Sequence, residues 1–214
     1  LEELITIPLF PLSLVAYPGK PLNLHIFEPR YRQLINDCHA ENIRFGIPTF
    51  QDGKGLTFGT LMELSEISKL YPDGKMDVKT VGVQPFKVVE YYSILKGKFY
   101  PGGEVVMMEY DDLLGKKDLA EEVIGLINEL YDLMKVEAAT LEWDTNFRIF
   151  SVADKLGLSQ SQELNLLSIA DENERLYFVK KHLQQLLPVV RNTEEMRLRV
   201  QANGHFKNII PPKL

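Results

Sequence analysis

One cysteine, Cys38, stands in a chain of 214 residues. It excludes an internal disulfide and any metal site built from several cysteines, and it suits a reducing compartment. The four histidines, at 25, 39, 182 and 205, show no HxxxH or HxH spacing. Cys38 and His39 are consecutive, so on a helix they point about 100° apart and cannot easily share an ion. Neither a metal nor a cofactor is expected. The step Gly-Lys-Ser/Thr does not occur, which removes the phosphate-binding loop of ATPases. No serine lies in a GxSxG elbow either. A catalytic constellation does not emerge, and the expectation is a protein that is not an enzyme.

Concentrated positive charge is also missing. Lys and Arg number 24 against 30 Asp and Glu, a formal net charge of −6. Residues 1–112 hold 11 basic against 15 acidic side chains and the remainder 13 against 15, so neither half is a basic patch. Binding to a phosphate backbone needs such a patch, and nucleic acid is disfavoured as a partner. No apolar run approaches the roughly 18 residues of a membrane-spanning helix. The opening Leu1-Glu2-Glu3 carries two acidic residues where a secretory signal is basic, although a chain opening on leucine leaves its native start open. A cytoplasmic protein without membrane attachment is the expectation.

What is present is a proline-cornered apolar stretch, "IPLFPLSLVAYPGKPLNLHIFEPRY", starting near residue 7. It reads as short strands joined by tight corners. Leu4 to Phe10 is one strand, "YPGKP" is a turn, and "PLNLHIF" alternates with Leu22, Leu24 and Ile26 on one face. Pro29 suits the first turn of a helix, whose Tyr31, Leu34, Ile35 and Cys38 form one buried face. Strands are predicted again over 44–50 and 56–64, and the turn "YPDGK" over 71–75. From Met76 to Glu90 the alternation changes parity at Gly82 and Pro85, which predicts a strand bent by bulges and wrapped around a small barrel. Residues 93–110 supply one or two more strands.

Past Asp111 and Asp112 the period turns helical. Val123, Leu126, Ile127, Leu130, Leu133 and Met134 form a stripe, backed by Glu121, Glu122, Glu129 and Asp132. "TNFRIFSVADKLGL" reads as a helix stopped near Gly157. Ser159 and Gln162, then Asp171 and Glu174, have capping-box spacing. The second pair opens a long helix with Leu176, Val179, Leu183, Leu186 and Leu187 inward, kinked or ended at Pro188. "TEEMRLRVQA" predicts a last helix, and "FKNIIPPKL" a loose tail.

The fold class is therefore α+β: a β-pseudobarrel subdomain over 1–112 with one helix near 29–40, then a helical bundle over 113–214. The ordered set "IPLFPLSLVAYPGKPLNLHIFEPRYRQLINDC", "FGI", "GTLMEL", "YPDGKMDVKTVGVQPFKVVE" and "ADKLGLSQSQELNLLSIADENERL" resembles the Lon N-terminal, substrate-binding domain family, over most of the chain. That resemblance implies a PUA-like six-stranded pseudobarrel followed by helices. It also implies a role in holding polypeptide substrates or partner proteins, and the missing Gly-Lys-Ser/Thr step makes the expected form a stand-alone one without ATPase or peptidase. Two positions depart from the family pattern: Gln84 and Pro85 stand before Phe86 where an arginine is usual, and Met62 replaces a small residue.

The function expected is a non-catalytic module for unfolded or exposed polypeptide segments, an adaptor in proteolysis or protein quality control beside a separate protease or ATPase. RNA binding, which PUA-like barrels can perform, and an unrecognised hydrolase are the alternatives. Glu28 and Arg30 could form a ligand clamp, but Glu28 fits better as a helix-start acceptor, with Arg30 paired to a carboxylate on a neighbouring strand. Cys38 lies on an apolar helix face, where a thiol is inert packing. The binding candidates are Tyr91, Tyr92, Phe99 and Tyr100, which flank "LKGK". Exposed aromatics offer apolar area with a polar handle, whereas aromatics in strands more often pack across the sheet.

Overall fold

In the computed structural model, which describes residues 3–51, 55–111, 113–137 and 139–205, the chain divides into two units. Residues 1–113 and 148–175 form the first, and residues 114–147 and 176–214 the second. The change of hydrophobic period places one boundary near 112; the observed division groups 148–175 with the sheet. The "DGK" turn at 52–54, Asp112 and the tail from Phe206 lie outside the described residues.

The first unit carries β1 (Leu4–Pro8), β2 (Pro21–Ile26), β3 (Phe45–Gln51), β4 (Gly55–Leu70), β5 (Met76–Tyr92) and β6 (Gly102–Met107). They form one antiparallel sheet in the order β1-β6-β5-β4-β3, with β2 also on β5. β2 takes the first half of one β5 edge, from Met76 to Val81, and β6 the second half, from Phe86 to Tyr92. β1 stops at Pro8, short of the expected Phe10, because the next residues change partner. Phe10 N–H donates to the Gly46 carbonyl over 2.8 Å and Phe50 N–H to the Leu12 carbonyl over 2.8 Å. These parallel bridges close the strip into a pseudobarrel.

The prolines explain how the opening stretch is held. A segment that keeps turning cannot satisfy its carbonyls in a ladder. Three buried threonines on the strands do so instead. Thr49 donates its hydroxyl to Leu14 O over 2.8 Å, Thr60 to Ala16 O over 2.6 Å and Thr80 to Leu22 O over 2.8 Å.

β5 corrects the expected parity change. Met76, Val78, Thr80 and Gly82 all face inward in one phase, with Val81 and Val83 only half-buried. The bend is nonetheless a bulge: Met62 pairs with Gly82 and Leu61 with Gln84, leaving Val83 extra. Gly82 is required there, because a Cβ would lie 2.1 Å from the Tyr17 carbonyl oxygen.

Helix α1 (Pro29–Glu41) starts on Pro29 and buries Tyr31, Leu34, Ile35 and Cys38, as its spacing predicts. Phe10 stacks on Tyr31 at 3.9 Å between ring centroids. Glu28 does not cap this helix; Arg30 turns back to it instead, Nε to Oε2 at 3.0 Å. Neighbouring surface partners two residues apart outcompeted both expected roles.

The stretch expected as a helix over 145–158 is two single 3-10 turns, Ile149–Ser151 and Ala153–Lys155. The Ile149 N–H is taken by Glu172 Oε1 at 2.7 Å, and Val152 sits at φ −122°, outside the α region. Gly157, at φ +68°, ends the run. α3 (Gln160–Leu167) follows with its Ser159–Gln162 capping box formed. α4 (Glu172–His205) begins in this unit, and Asp171 Oδ1 accepts from the Glu174 N–H at 2.9 Å.

In the second unit α2 (Lys117–Met134) buries Leu119, Ala120, Val123, Ile124, Ile127, Leu130 and Tyr131. The stripe is rotated from the expected one, leaving Met134 exposed. Leu176, Val179, Leu183 and Leu187 of α4 are buried, and Lys180 and Arg191 pair with Glu122 and Glu129 of α2. α4 runs through Pro188 rather than ending there. Pro188 is exposed, so the carbonyl it deprives of a donor is open to water.

Candidate functional site

The first unit contains a groove of about 810 Å³ beside β1. Ile5 to Pro8 form one wall, and Asn42, Ile43 and Arg44, just after α1, form the other. Leu64 and Leu95, both packed against the barrel core, supply an apolar floor, with Cys38 and Tyr100 at its edge. The groove exists because the parallel seam holds only from Leu9 onward. Asn42, in the left-handed region at φ 53°, turns the chain away from the helix end and into β3.

Its rim is charged but internally neutralised. Arg44 donates to Glu63 Oε2 through Nε at 3.0 Å and Nη2 at 2.6 Å. Lys98 Nζ and the Tyr100 hydroxyl both donate to Asp37 Oδ2 at 2.8 Å, and Glu41 lies 3.6 Å from Lys98. The Lys98 hydrogen bond holds the Asp37 carboxyl below the usual aspartate range, and the same bond raises Lys98. Burial, helped by the bond to Asp37, pushes the Tyr100 phenol up to about 12. Burial likewise pushes the Cys38 thiol up to about 12, which disfavours the thiolate that a nucleophile needs.

The four aromatic candidates differ in exposure. Phe99 is 74% exposed and Tyr91 42% exposed. Tyr92 is half-buried, its hydroxyl donating to Glu90 at 3.1 Å. Tyr100 is buried in the core, with its side chain at the edge of the groove. The loop carrying Phe99 is fixed to α1 by the Phe99 N–H, which donates to Gln33 Oε1 at 2.8 Å. Sequence reasoning missed the β1 wall, Arg44, Glu63, Leu64 and Leu95. The one available signal was Pro8, a residue suited to the end of an edge strand.

The first unit is thus an antiparallel pseudobarrel with helices after it, carrying a groove beside β1. Residues 6–185 match the family described as the ATP-dependent protease La (LON) substrate-binding domain, and the chain belongs to that family. It is similar to a solved Lon N-terminal domain protein from Xanthomonas campestris, with 26% identity and a TM-score of 0.61 over 81% of this chain and 95% of that one. The N-terminal domain of a Mycobacterium avium complex Lon protease is 15% identical, with a TM-score of 0.58 over 84% of this chain and 98% of that one, and shows the fold alone. The match comprises a substrate-binding domain and no catalytic domain.

The two departures from the family pattern are absorbed locally. Gln84 Nε2 donates to the Met108 carbonyl at 2.9 Å, and Met62 fills the core.

Proposed function

We propose that this protein is a non-catalytic recognition module that holds exposed apolar segments of other polypeptides, and that it serves as an adaptor in proteolysis or protein quality control beside a separate protease or ATPase. Membership of a substrate-binding family supports the polypeptide as ligand. The observation that carries the reading is the groove beside β1, whose floor of Leu64 and Leu95 lies open between walls of strand and loop. An apolar floor under a neutralised rim suits an uncharged run of side chains better than a charged small molecule. Exposed Phe99 and Tyr91 add apolar surface on the same unit.

Immobilised protein is expected to retain a permanently unfolded protein, such as a reduced and carboxymethylated lactalbumin, at micromolar concentration and to ignore the native form. Equal retention of both forms, or of neither, refutes the reading.

A further inference from the structure

Main-chain directions along β1 can be read from two hydrogen bonds. Leu9 N–H donates to Pro101 O, on the β6 side, and Phe10 N–H donates to Gly46 O, on the opposite side. The register from Leu4–Val106 to Pro8–Gly102 is unbroken, so the alternation holds throughout β1. Ile5 and Ile7 therefore face β6, while Leu4 and Thr6 turn their N–H and C=O groups away from it. Pro8 has no N–H, and beyond it the edge is closed by Gly46. Among the described residues no strand pairs with this outer edge of Leu4–Pro8.

We propose that the groove takes an extended polypeptide as an added β-strand on the Leu4–Thr6 edge, with alternate side chains lowered onto Leu64 and Leu95. This rests on the polypeptide-binding reading and states how the polypeptide is held. The occupant follows from the chemistry of the wall. Thr6, on the groove wall, and Leu4, next along the same edge, together offer two donors and two acceptors at strand spacing, which match the main chain of another strand; a helix keeps those groups for itself. Among the described residues the rim offers no free cation to an acidic segment, because Arg44 is matched by Glu63 and Lys98 by Asp37, with Glu41 also near Lys98. The segment that fits is therefore extended, uncharged and apolar at every second position, a pattern buried in folded proteins and exposed in unfolded ones. Pro8 sets the limit of the added strand, confining it to the start of β1.

Among the described residues the edge N–H of Thr6 has no acceptor, so Thr6→Pro removes a donor from the groove without removing one from the β1–β6 ladder. A fluorescently labelled peptide of alternating valine and threonine, ended in lysine for solubility, serves as the probe, with its backbone N-methylated form as control. The expected result is saturable binding by the wild type, weakened roughly tenfold or more by Thr6→Pro and by N-methylation. Hydrogen exchange on the wild type gives a second readout that needs no variant: the Leu4 and Thr6 amides exchange fast alone and slow down with the probe. If wild type and Thr6→Pro retain unfolded lactalbumin equally, and the two amides stay unprotected, the added strand is refuted while polypeptide binding stands. If wild type retains no unfolded protein, polypeptide binding itself fails. Protection of both amides that rises with protein concentration in the absence of peptide assigns the edge to a second copy of this chain and overturns the proposal.

Discussion

Arg175 Nε donates to Glu172 Oε2 at 2.8 Å, and both side chains are buried. The pair is completed on every side. Glu172 Oε1 accepts from the Ile149 N–H, and Arg175 donates to the carbonyls of Ile169 and Asp111. The guanidinium lies 4.5 Å from the Phe150 ring and 5.0 Å from that of Tyr110. Through these bonds the pair fastens residues 148–175 to Asp111, in the stretch after β6.

Removing one partner strands the other. Arg175→Met is expected to cost about 3–5 kcal/mol, because Glu172 is left buried with its charge unmatched. Burial already pushes the Glu172 carboxyl above its usual range. The double variant Arg175→Met with Glu172→Gln is expected to recover part of that loss, since no lone charge remains. Urea denaturation of the three proteins decides it; a double variant no better than the single one would count against this account.

Much of the pseudobarrel was legible because its signals are local. Pro29 opens α1, Ser159 and Gln162 cap α3, and "YPDGK" joins β4 to β5, each within a few residues. What could not be read depends on partners far away in sequence. The phase of β5 hides behind Thr80 and Gly82, inward residues that are not apolar, because one bonds Leu22 O and the other admits the Tyr17 backbone. The candidate site suffered most. Phe99 and Tyr100 are adjacent and equally aromatic, and only the hydrogen bonds to α1 decide which one turns inward. Of the unpaired edge of β1, only Pro8 left a trace in the sequence.

Thr60 tests how the proline-cornered stretch is held. Thr60→Val keeps the shape but leaves the buried Ala16 carbonyl without its donor, an expected loss of about 1–3 kcal/mol. Thr60→Ser keeps the hydroxyl and gives up only a methyl, so its loss in thermal unfolding is expected to be smaller. Equal losses would mean that packing, not the hydrogen bond, holds the segment.

Two glycines are expected to respond in opposite directions. Gly82→Ala drives a Cβ to 2.1 Å from the Tyr17 carbonyl oxygen, which is backbone and cannot swing aside. Gly125 lies inside α2, where an added Cβ meets nothing within 4 Å. Gly125→Ala should raise stability by about 0.5–1 kcal/mol through helix propensity, while Gly82→Ala lowers the melting temperature. A neutral Gly82→Ala would show that the Tyr17 turn does not approach β5 this closely in solution.

Cys38 reports on opening of the core. With its thiol buried and pushed up to about 12, it is expected to resist Ellman's reagent near neutral pH and to react at once in denaturant. Ready reaction in the folded state would place the thiol in the groove rather than under it.

The Asp37 carboxylate makes stability depend on pH in a calculable direction. Hydrogen bonds from Lys98, and to a lesser extent from Tyr100, hold its folded pKa below the unfolded value, against the opposing effect of burial. The folded protein thus binds this proton less readily than the unfolded chain does. Above the unfolded pKa, about 3.9 for aspartate, the carboxylate is ionised in both states and its stabilisation is complete. As pH falls through the folded pKa the proton is forced on, and the contribution disappears. Asp37→Asn lacks the charge at every pH, so it should melt below the wild type at about pH 7, with the gap narrowing toward about pH 3. A gap that stays constant would show that Lys98 and Asp37 contribute nothing through ionisation, and that the groove rim is held by packing of the 93–100 loop on α1.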